Sequence, residues 1–275
     1  FKGHPLKYEQ IINILKKKRK HFKSVNFTGG EPSLLESLPA LAKEAKRLGY
    51  KVYIGTNGAG FSDREFCRKA LPFINEICFS VHGDTAKLHD FHTGNKGSFK
   101  DLRKAMDNVS QAQTPLLSNT VVTKYNFPHL KGILGFLISR KVKQALISNL
   151  APEGRGLENY KKLAVRLGDI RKTVGALVDL ADRGNMIIRF FGIPACVLGE
   201  HAAHSNDFFW DPRLNIEQAR QKRKLFIRQE KAYFPARRRI KVAKCAECLY
   251  KDVCGGVFEA YYDMFKDAEL ELVRG

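Results

Sequence analysis

The sequence predicts an α/β chain, a parallel sheet flanked by helices, followed by a small cysteine-rich C-terminal extension. Three observations predict it. Apolar β-like runs alternate with amphipathic helical runs from residue 7 to about residue 190. Polar, often glycine-containing strings fall at or near the ends of the β-like runs, where ligands sit in parallel α/β folds. Three cysteines are packed between Cys245 and Cys254, after the alternation has ended.

The elements run in order along the chain. Residues 7–21 read as an amphipathic helix, with Ile11, Ile12, Ile14 and Leu15 inside and Lys16 to Lys20 at the end where cations suit the helix dipole. A strand over 24–28 and a helix over 33–48, stopped at Gly49, come next. Lys51 to Gly55 is a strand closing on Thr56-Asn57-Gly58, and a helix over 63–71 leads to strand 76–81, which closes on His82-Gly83-Asp84. Helix 98–111, strand 116–122, helix 127–140 and strand 143–148 continue the pattern. A long helix or helix pair over 157–183 precedes strand 186–190. From Gly192 the pattern gives way to loops, a basic segment over 213–241 and the cysteine cluster. The domain boundary is therefore expected near 185, dividing the chain into 1–185 and 186–275.

At 275 residues, 44% of them hydrophobic, the chain can build one large barrel-like domain, or an ordinary domain with a smaller one attached. Wholesale disorder is excluded. No apolar run is long enough to cross a bilayer and no secretory pattern opens the chain, so no membrane is expected and the localisation expected is cytoplasmic. The net charge of +20 favours an anionic partner (nucleic acid, an acidic peptide or a phosphorylated substrate) over neutral ones, with a lysine-rich surface lacking any specific partner as the plain alternative. The first residue is Phe1 rather than Met, which suggests a fragment or a processed chain.

The chain is organised around Val25-Asn26-Phe27-Thr28-Gly29-Gly30-Glu31-Pro32. A Gly-Gly pair leaving a strand lets the backbone approach a ligand closely. The Glu31 carboxylate can receive an ammonium group, and Pro32 stiffens the exit. For the glycines alone an ordinary strand-to-helix turn is the better reading, and it is the full Thr-Gly-Gly-Glu-Pro string that is specific. Of the six cysteines, Cys67 and Cys78 read as small buried hydrophobes. Cys245, Cys248 and Cys254, spaced C-x2-C-x5-C, suit iron–sulfur or zinc ligation, with Cys196 the natural fourth ligand. His82, His89 and His92 read as turn and pocket polar groups, because no carboxylate or cysteine pattern completes a metal-ligand set.

Thr28-Gly29-Gly30-Glu31-Pro32 resembles the GGEP motif of radical S-adenosylmethionine (SAM) enzymes, which holds the methionine amino group of SAM. Ser80-Val81-His82-Gly83, Leu88-His89-Asp90, Thr93-Gly94 and Gly97-Ser98-Phe99 are similar to the fourth-strand region of that superfamily. The C-terminal cysteines, with Gly255, Gly256 and Tyr261, resemble its SPASM and shorter "twitch" extensions, which carry an auxiliary [4Fe–4S] cluster.

The resemblance implies a partial (β/α)6 TIM-like barrel over 1–185 and an auxiliary-cluster region over 186–275. It implies that SAM meets Thr28, Gly29, Gly30, Glu31, Pro32, Thr56, Asn57, Ser80, His82 and Asn119, and that Cys196, Cys245, Cys248 and Cys254 hold the auxiliary cluster. Family members bind a catalytic [4Fe–4S] cluster through C-x3-C-x2-C upstream of GGEP, a motif this sequence does not contain. The expectation is that the first strand and cluster loop precede Phe1, the alternative being a cluster-less homologue. Without that motif the polypeptide as given is expected not to cleave SAM, and no catalytic side chain is assigned. The intact protein is expected to be an oxidoreductase or maturase. Its reduced cluster would cleave SAM to a 5′-deoxyadenosyl radical that takes hydrogen from a peptide, protein or small-molecule substrate, with a flavodoxin- or ferredoxin-type reductant. The alternative from another class is an inactive barrel with a structural zinc site, gripping nucleic acid through its basic runs at 16–20 and 236–244.

Overall fold

The computed structural model describes residues 8–209, 213–221, 224–231 and 238–274, and side chains outside 217–231. Its strands are β1 (Ser24–Thr28), β2 (Lys51–Thr56), β3 (Glu76–Ser80), β4 (Leu116–Val122), β5 (Gln144–Asn149), β6 (Ile187–Phe191), β7 (Leu214–Gln221), β8 (Lys224–Lys231), β9 (Arg239–Ile240) and β10 (Val257–Phe258). The chain divides into two compact units. The first comprises 1–80, 93–118 and 211–232, and the second 81–92, 119–210 and 233–275. The break falls within β4.

In the first unit the strand order is β8-β7-β1-β2-β3, with the start of β4 next. β1 pairs in parallel with β2 and β7, and β2 with β3. The register aligns Val25 with Val52 and Leu214, and Ile54 with Ile77. These five side chains are all buried, which is why the register holds: a one-residue slip would turn them outward. Helix Tyr8–Lys18 buries Ile11, Ile12 and Leu15, and Arg19 just beyond it donates to the Leu48 carbonyl at 2.7 Å and the Gly49 carbonyl at 3.2 Å. The Tyr50 hydroxyl donates to the Leu15 carbonyl at 2.7 Å, tying that helix to β2.

The helix expected over 33–48 is interrupted. A short 3-10 turn, Pro32–Leu34, leads to extended Leu35 and then to helix Leu38–Arg47. Pro39 explains the break, since it has no N–H to give the Leu35 carbonyl and its ring would clash one turn back, whereas the first turn of a new helix accepts it. The basic segment, for which the sequence predicts no element, contains β7 and β8, an antiparallel pair in register from Leu214↔Lys231 to Gln221↔Lys224.

In the second unit the end of β4 is followed by β5 and β6, which pair in parallel with Ala145 opposite Ile188 and Ile147 opposite Phe190. Helices Leu130–Ser139 and Leu167–Arg183 bury Ile133, Leu134, Leu137, Val174 and Leu177. The helix expected over 157–183 resolves into Gly154–Glu158, Tyr160–Leu163 and Leu167–Arg183. The last of these starts afresh because the buried Tyr261 hydroxyl accepts the Leu167 N–H at 2.8 Å, a long-range cap. β9 and β10 form a small antiparallel pair beside the cysteine loop. The fold class is the α/β arrangement of successive parallel β/α steps that the sequence predicts. Among the described residues no helix is long and apolar enough to cross a membrane.

Candidate functional site

In the first unit β1 ends at half-buried Thr28, and Gly29 and Gly30 come next with φ of 78° and 59°. Both lie in the left-handed region that residues with a Cβ rarely enter, so the turn needs its glycines. Glu31 anchors the exit from that turn. Its Oε1 accepts the Ser33 N–H at 2.9 Å and the Thr56 hydroxyl, and its Oε2 accepts the Asn57 N–H at 2.6 Å. One carboxylate thus ties the loop after β1 to the loop after β2. Thr56 Oγ1 in turn accepts the Gly58 N–H at 3.0 Å, and Asn57 Oδ1 accepts the Ala59 N–H at 2.9 Å. Ser33, absent from the expected site, closes the set by accepting the Gly60 N–H at 2.9 Å through its buried hydroxyl. Pro32 is buried, exposed Gly30 crowns the turn, and Ser80 ends β3, whose Phe79 is in register with Thr56.

The second unit holds His82 and Asn119. Asn119 ends no strand: it lies within β4, where its carbonyl accepts the Val81 N–H at 3.0 Å and its Oδ1 accepts the Ser148 hydroxyl at 2.6 Å. The rings of His82 and His89 stack at 6.0 Å, and His82 lies 6.1 Å from His92. His89 Nδ1 accepts the His82 N–H at 3.2 Å, and His92 bonds the Leu88 carbonyl at 3.0 Å and the Thr123 hydroxyl at 2.8 Å. The Nδ1 of His82 is sealed from solvent without a hydrogen-bond partner. Fully buried Asn126, which carries no motif signal in the sequence, donates to the carbonyls of His82 at 3.2 Å and Val121 at 3.0 Å.

Burial, with the nearby His89 and His92 adding to it, pushes His82 down to about 3. Burial also lowers His89 to about 4, against the opposing pull of Asp90 and with the help of His92. Both are neutral when folded but protonate below about pH 6.5 when unfolded, so the unfolded chain binds more protons and stability falls as pH drops below that value. Between pH 7 and pH 5 the loss is expected to be roughly 2 kcal/mol per histidine. Urea midpoints at the two pH values check it. His89→Gln should flatten the dependence, and an unchanged midpoint in the parent would refute it.

The four cysteines come together in the same unit. Cys196, Cys245, Cys248 and Cys254 border one small cavity that opens partly to solvent. Burial pushes the Cys196 thiol up to about 11, opposed by a hydrogen bond from the Glu271 backbone, with Cys254, Cys245 and Cys248 adding to the rise. Burial likewise raises Cys245, against a backbone hydrogen bond at Val242. The Cys254 sulfur accepts the backbone N–H of Ala195 and of Gly256, each at 3.4 Å. Among the described residues no three His, Cys, Asp or Glu side chains converge on a point as ligands of one ion would, and the sulfurs stand around the cavity instead. As a donor set, four soft sulfurs with two amides aimed at one of them fit an iron–sulfur cluster. Cys67 and Cys78 belong to the first unit.

The basic run at 236–244 is partly committed elsewhere. Residues 236 and 237 lie outside the described residues, Arg239 is buried against Asp207, Lys241 bonds the Lys251 carbonyl, and Lys244 pairs with Asp267 at 3.5 Å.

The chain is similar to several known proteins. An AdoMet-dependent heme synthase of Oleidesulfovibrio alaskensis is 27% identical over 156 residues, covering 54% of this chain and 40% of that protein. An S-adenosylmethionine-dependent nucleotide dehydratase of Lacinutrix mariniflava is 30% identical over 159 residues, covering 55% of this chain and 32% of that protein. The chain therefore spans less than half the length of these curated relatives. Among solved structures, Streptococcus suis SuiB bound to S-adenosylmethionine shares the fold, with a TM-score of 0.62 at 18% identity over 100% of this chain and 71% of that one. SuiB has also been solved with its precursor peptide SuiA. Over residues 1–137 the chain matches the model of the radical SAM superfamily, and it belongs to that superfamily.

Proposed function

We propose that the protein is a radical SAM enzyme that modifies a peptide or protein, with residues 1–185 as the SAM-binding core and 186–275 as an auxiliary-cluster region. The observation that carries it is the glycine turn at Gly29-Gly30, clamped by Glu31 onto the loop after β2. That clamp fixes exposed backbone at a strand end, which is where a parallel α/β fold presents its ligand. Thr28 to Pro32, Thr56, Asn57 and Ser80 of the first unit would bind SAM, and the family resemblance adds His82 and Asn119 to the proposed SAM residues. Cys196, Cys245, Cys248 and Cys254 would hold an auxiliary [4Fe–4S] cluster, whose fit rests on the four-sulfur cavity and the amides facing Cys254. Radical chemistry would need the catalytic [4Fe–4S] cluster, for which this sequence offers no C-x3-C-x2-C ligands. Bound and reduced with SAM, that cluster would supply the 5′-deoxyadenosyl radical, with a flavodoxin- or ferredoxin-type protein as the expected electron source.

The chain's own residues orient SAM through the clamped turn and leave the buried, neutral histidines as fixed hydrogen-bonding groups. The peptide class is supported by the shared fold with SuiB and by the net charge of +20, which suits an acidic substrate. The experiment uses the full-length protein, anaerobically reconstituted and reduced with dithionite, beside an acidic candidate peptide co-expressed with it. Formation of 5′-deoxyadenosine with a mass change in the peptide is the expected result. SAM cleavage that leaves every candidate peptide unchanged, while a nucleotide or porphyrin reacts, would overturn the peptide class. No SAM cleavage at all would overturn the enzyme reading.

A further inference from the structure

We infer that Asp207 and Arg239 are positioning residues for the Cys254 thiol, an inference that rests on the proposed role of the four cysteines. Both side chains are 0% exposed, and they meet through two parallel hydrogen bonds, Nη1 to Oδ1 at 2.9 Å and Nη2 to Oδ2 at 2.7 Å. The pair does not stop at itself. Asp207 Oδ2 also accepts the Gly255 N–H at 2.9 Å, and Arg239 donates to the Gly256 carbonyl from Nε at 3.1 Å and Nη2 at 2.9 Å. The peptide entering Gly255 is thus held by its N–H and the peptide leaving Gly256 by its carbonyl, so the peptide between them lies between two fixed ones.

The consequence reaches the sulfur. The Gly256 N–H, on the residue so fixed, donates to Cys254 Sγ at 3.4 Å. The loop is wrapped so closely on the guanidinium that a Cβ at Gly255 would lie 2.4 Å from the Arg239 guanidinium carbon. A Cβ at Gly256, where φ is 79°, would lie 2.1 Å from the Ile240 carbonyl oxygen. The two glycines after the third cysteine are therefore required by this pair and by β9, which carries Arg239 and Ile240.

Stability alone is a weak reason for such a pair, because buried ion pairs replaced by well-packed apolar residues are often neutral or better. Orientation is the stronger one. An ion pair that is neutral as a unit, satisfied at both ends and bonded to the backbone beside a ligand aims that ligand without adding charge. Groups of this kind around metal sites typically change metal affinity 10–100-fold when removed.

The test compares the full-length protein with Asp207→Asn and with the double variant D207L/R239M, which removes the hydrogen bonds while keeping the site filled. Two probes are used, iron and sulfide retained against a chelator after anaerobic reconstitution, and titration of the metal-free chain with Co²⁺ alone, read by its thiolate absorption. Asp207→Asn should unfold at a lower thermal midpoint, because it leaves buried Arg239 without its counter-charge, and the double variant near the parent's. Both should lose iron faster and bind Co²⁺ about 10–100-fold more weakly. If Asp207→Asn does not fold, the double variant carries the comparison. Parent-like iron retention and Co²⁺ affinity in the folded double variant would overturn the positioning role. A parent that binds Co²⁺ but neither iron nor sulfide would overturn the cluster reading, leaving the Co²⁺ comparison to decide on the pair. A parent that binds neither would overturn both.

Discussion

Replacing Cys248 with alanine is expected to empty the C-terminal site of iron and sulfide while the parallel α/β core stays folded. Cys248 borders the four-sulfur cavity, and its backbone carries its ties to the loop: its N–H donates to the Cys245 carbonyl at 3.2 Å and its carbonyl accepts the Lys251 N–H at 3.0 Å. Removing its thiol therefore takes away a ligand and leaves those bonds in place. Iron–sulfur clusters are held by four cysteine thiolates, and a three-thiolate site leaves one iron open to water and chelator. Retention against chelator should fall by more than the roughly 10–100-fold seen when outer-shell groups are lost. Cys196→Ala should behave in the same way if Cys196 is the fourth ligand, and Cys67→Ala, in the first unit, should not. Because metal binding to such a site is also folding free energy, the thermal midpoint of the cysteine loop should drop with the metal and recover when it is restored. Quantification of iron, sulfide and zinc in parent and variants reads the result. Zinc without sulfide in the parent would instead mark a structural metal site.

Much of this was legible in the sequence because it is local. The strand at Leu116–Val122 alternates buried and half-buried residues from end to end, and the sequence marks the same limits. The polar strings after β1 and β2 stand where a parallel fold presents its ligands, and the C-x2-C-x5-C spacing brings three sulfurs to one loop wherever that loop lies. Features that were not legible depend mostly on partners distant in the chain. Leu167 starts a helix because Tyr261, 94 residues later, caps it. The charged segment over 213–241 hides β7 and β8, since Leu225, Phe226 and Ile227 are a short apolar run among basic residues and the pairing partner, not the periodicity, makes them a strand. Asp207 carried no signal, being one acid in a loop until Arg239 is folded against it. Ser33 gains its place only when Gly60, on the loop after β2, is brought to its hydroxyl. Pro39 is the exception, a local signal that could have been used: the Leu35 carbonyl needs a donor that proline does not have.

Glu31→Gln is expected to weaken SAM binding by the full-length protein about 10–100-fold, or about 1.4–2.7 kcal/mol. The sequence offers Glu31 as a receptor for an ammonium group, and the structure shows its carboxylate already accepting three hydrogen bonds, from Ser33, Thr56 and Asn57. A carboxylate has about four acceptor positions, so one is left for a ligand. Glutamine keeps the shape but turns an NH2 group toward one of these donors, leaving two donors face to face. That costs about 1–3 kcal/mol in the loop whether or not SAM is present. The two roles are separable by ligand. If Glu31 receives the methionine ammonium, SAM weakens in the variant and methylthioadenosine, which lacks the amino acid, binds as before. If Glu31 only clamps the turn, both ligands weaken together and the urea midpoint falls with them. Calorimetric titration of both ligands against parent and Glu31→Gln decides between these. Unchanged affinity for SAM would remove Glu31, and the turn it holds, from the binding site.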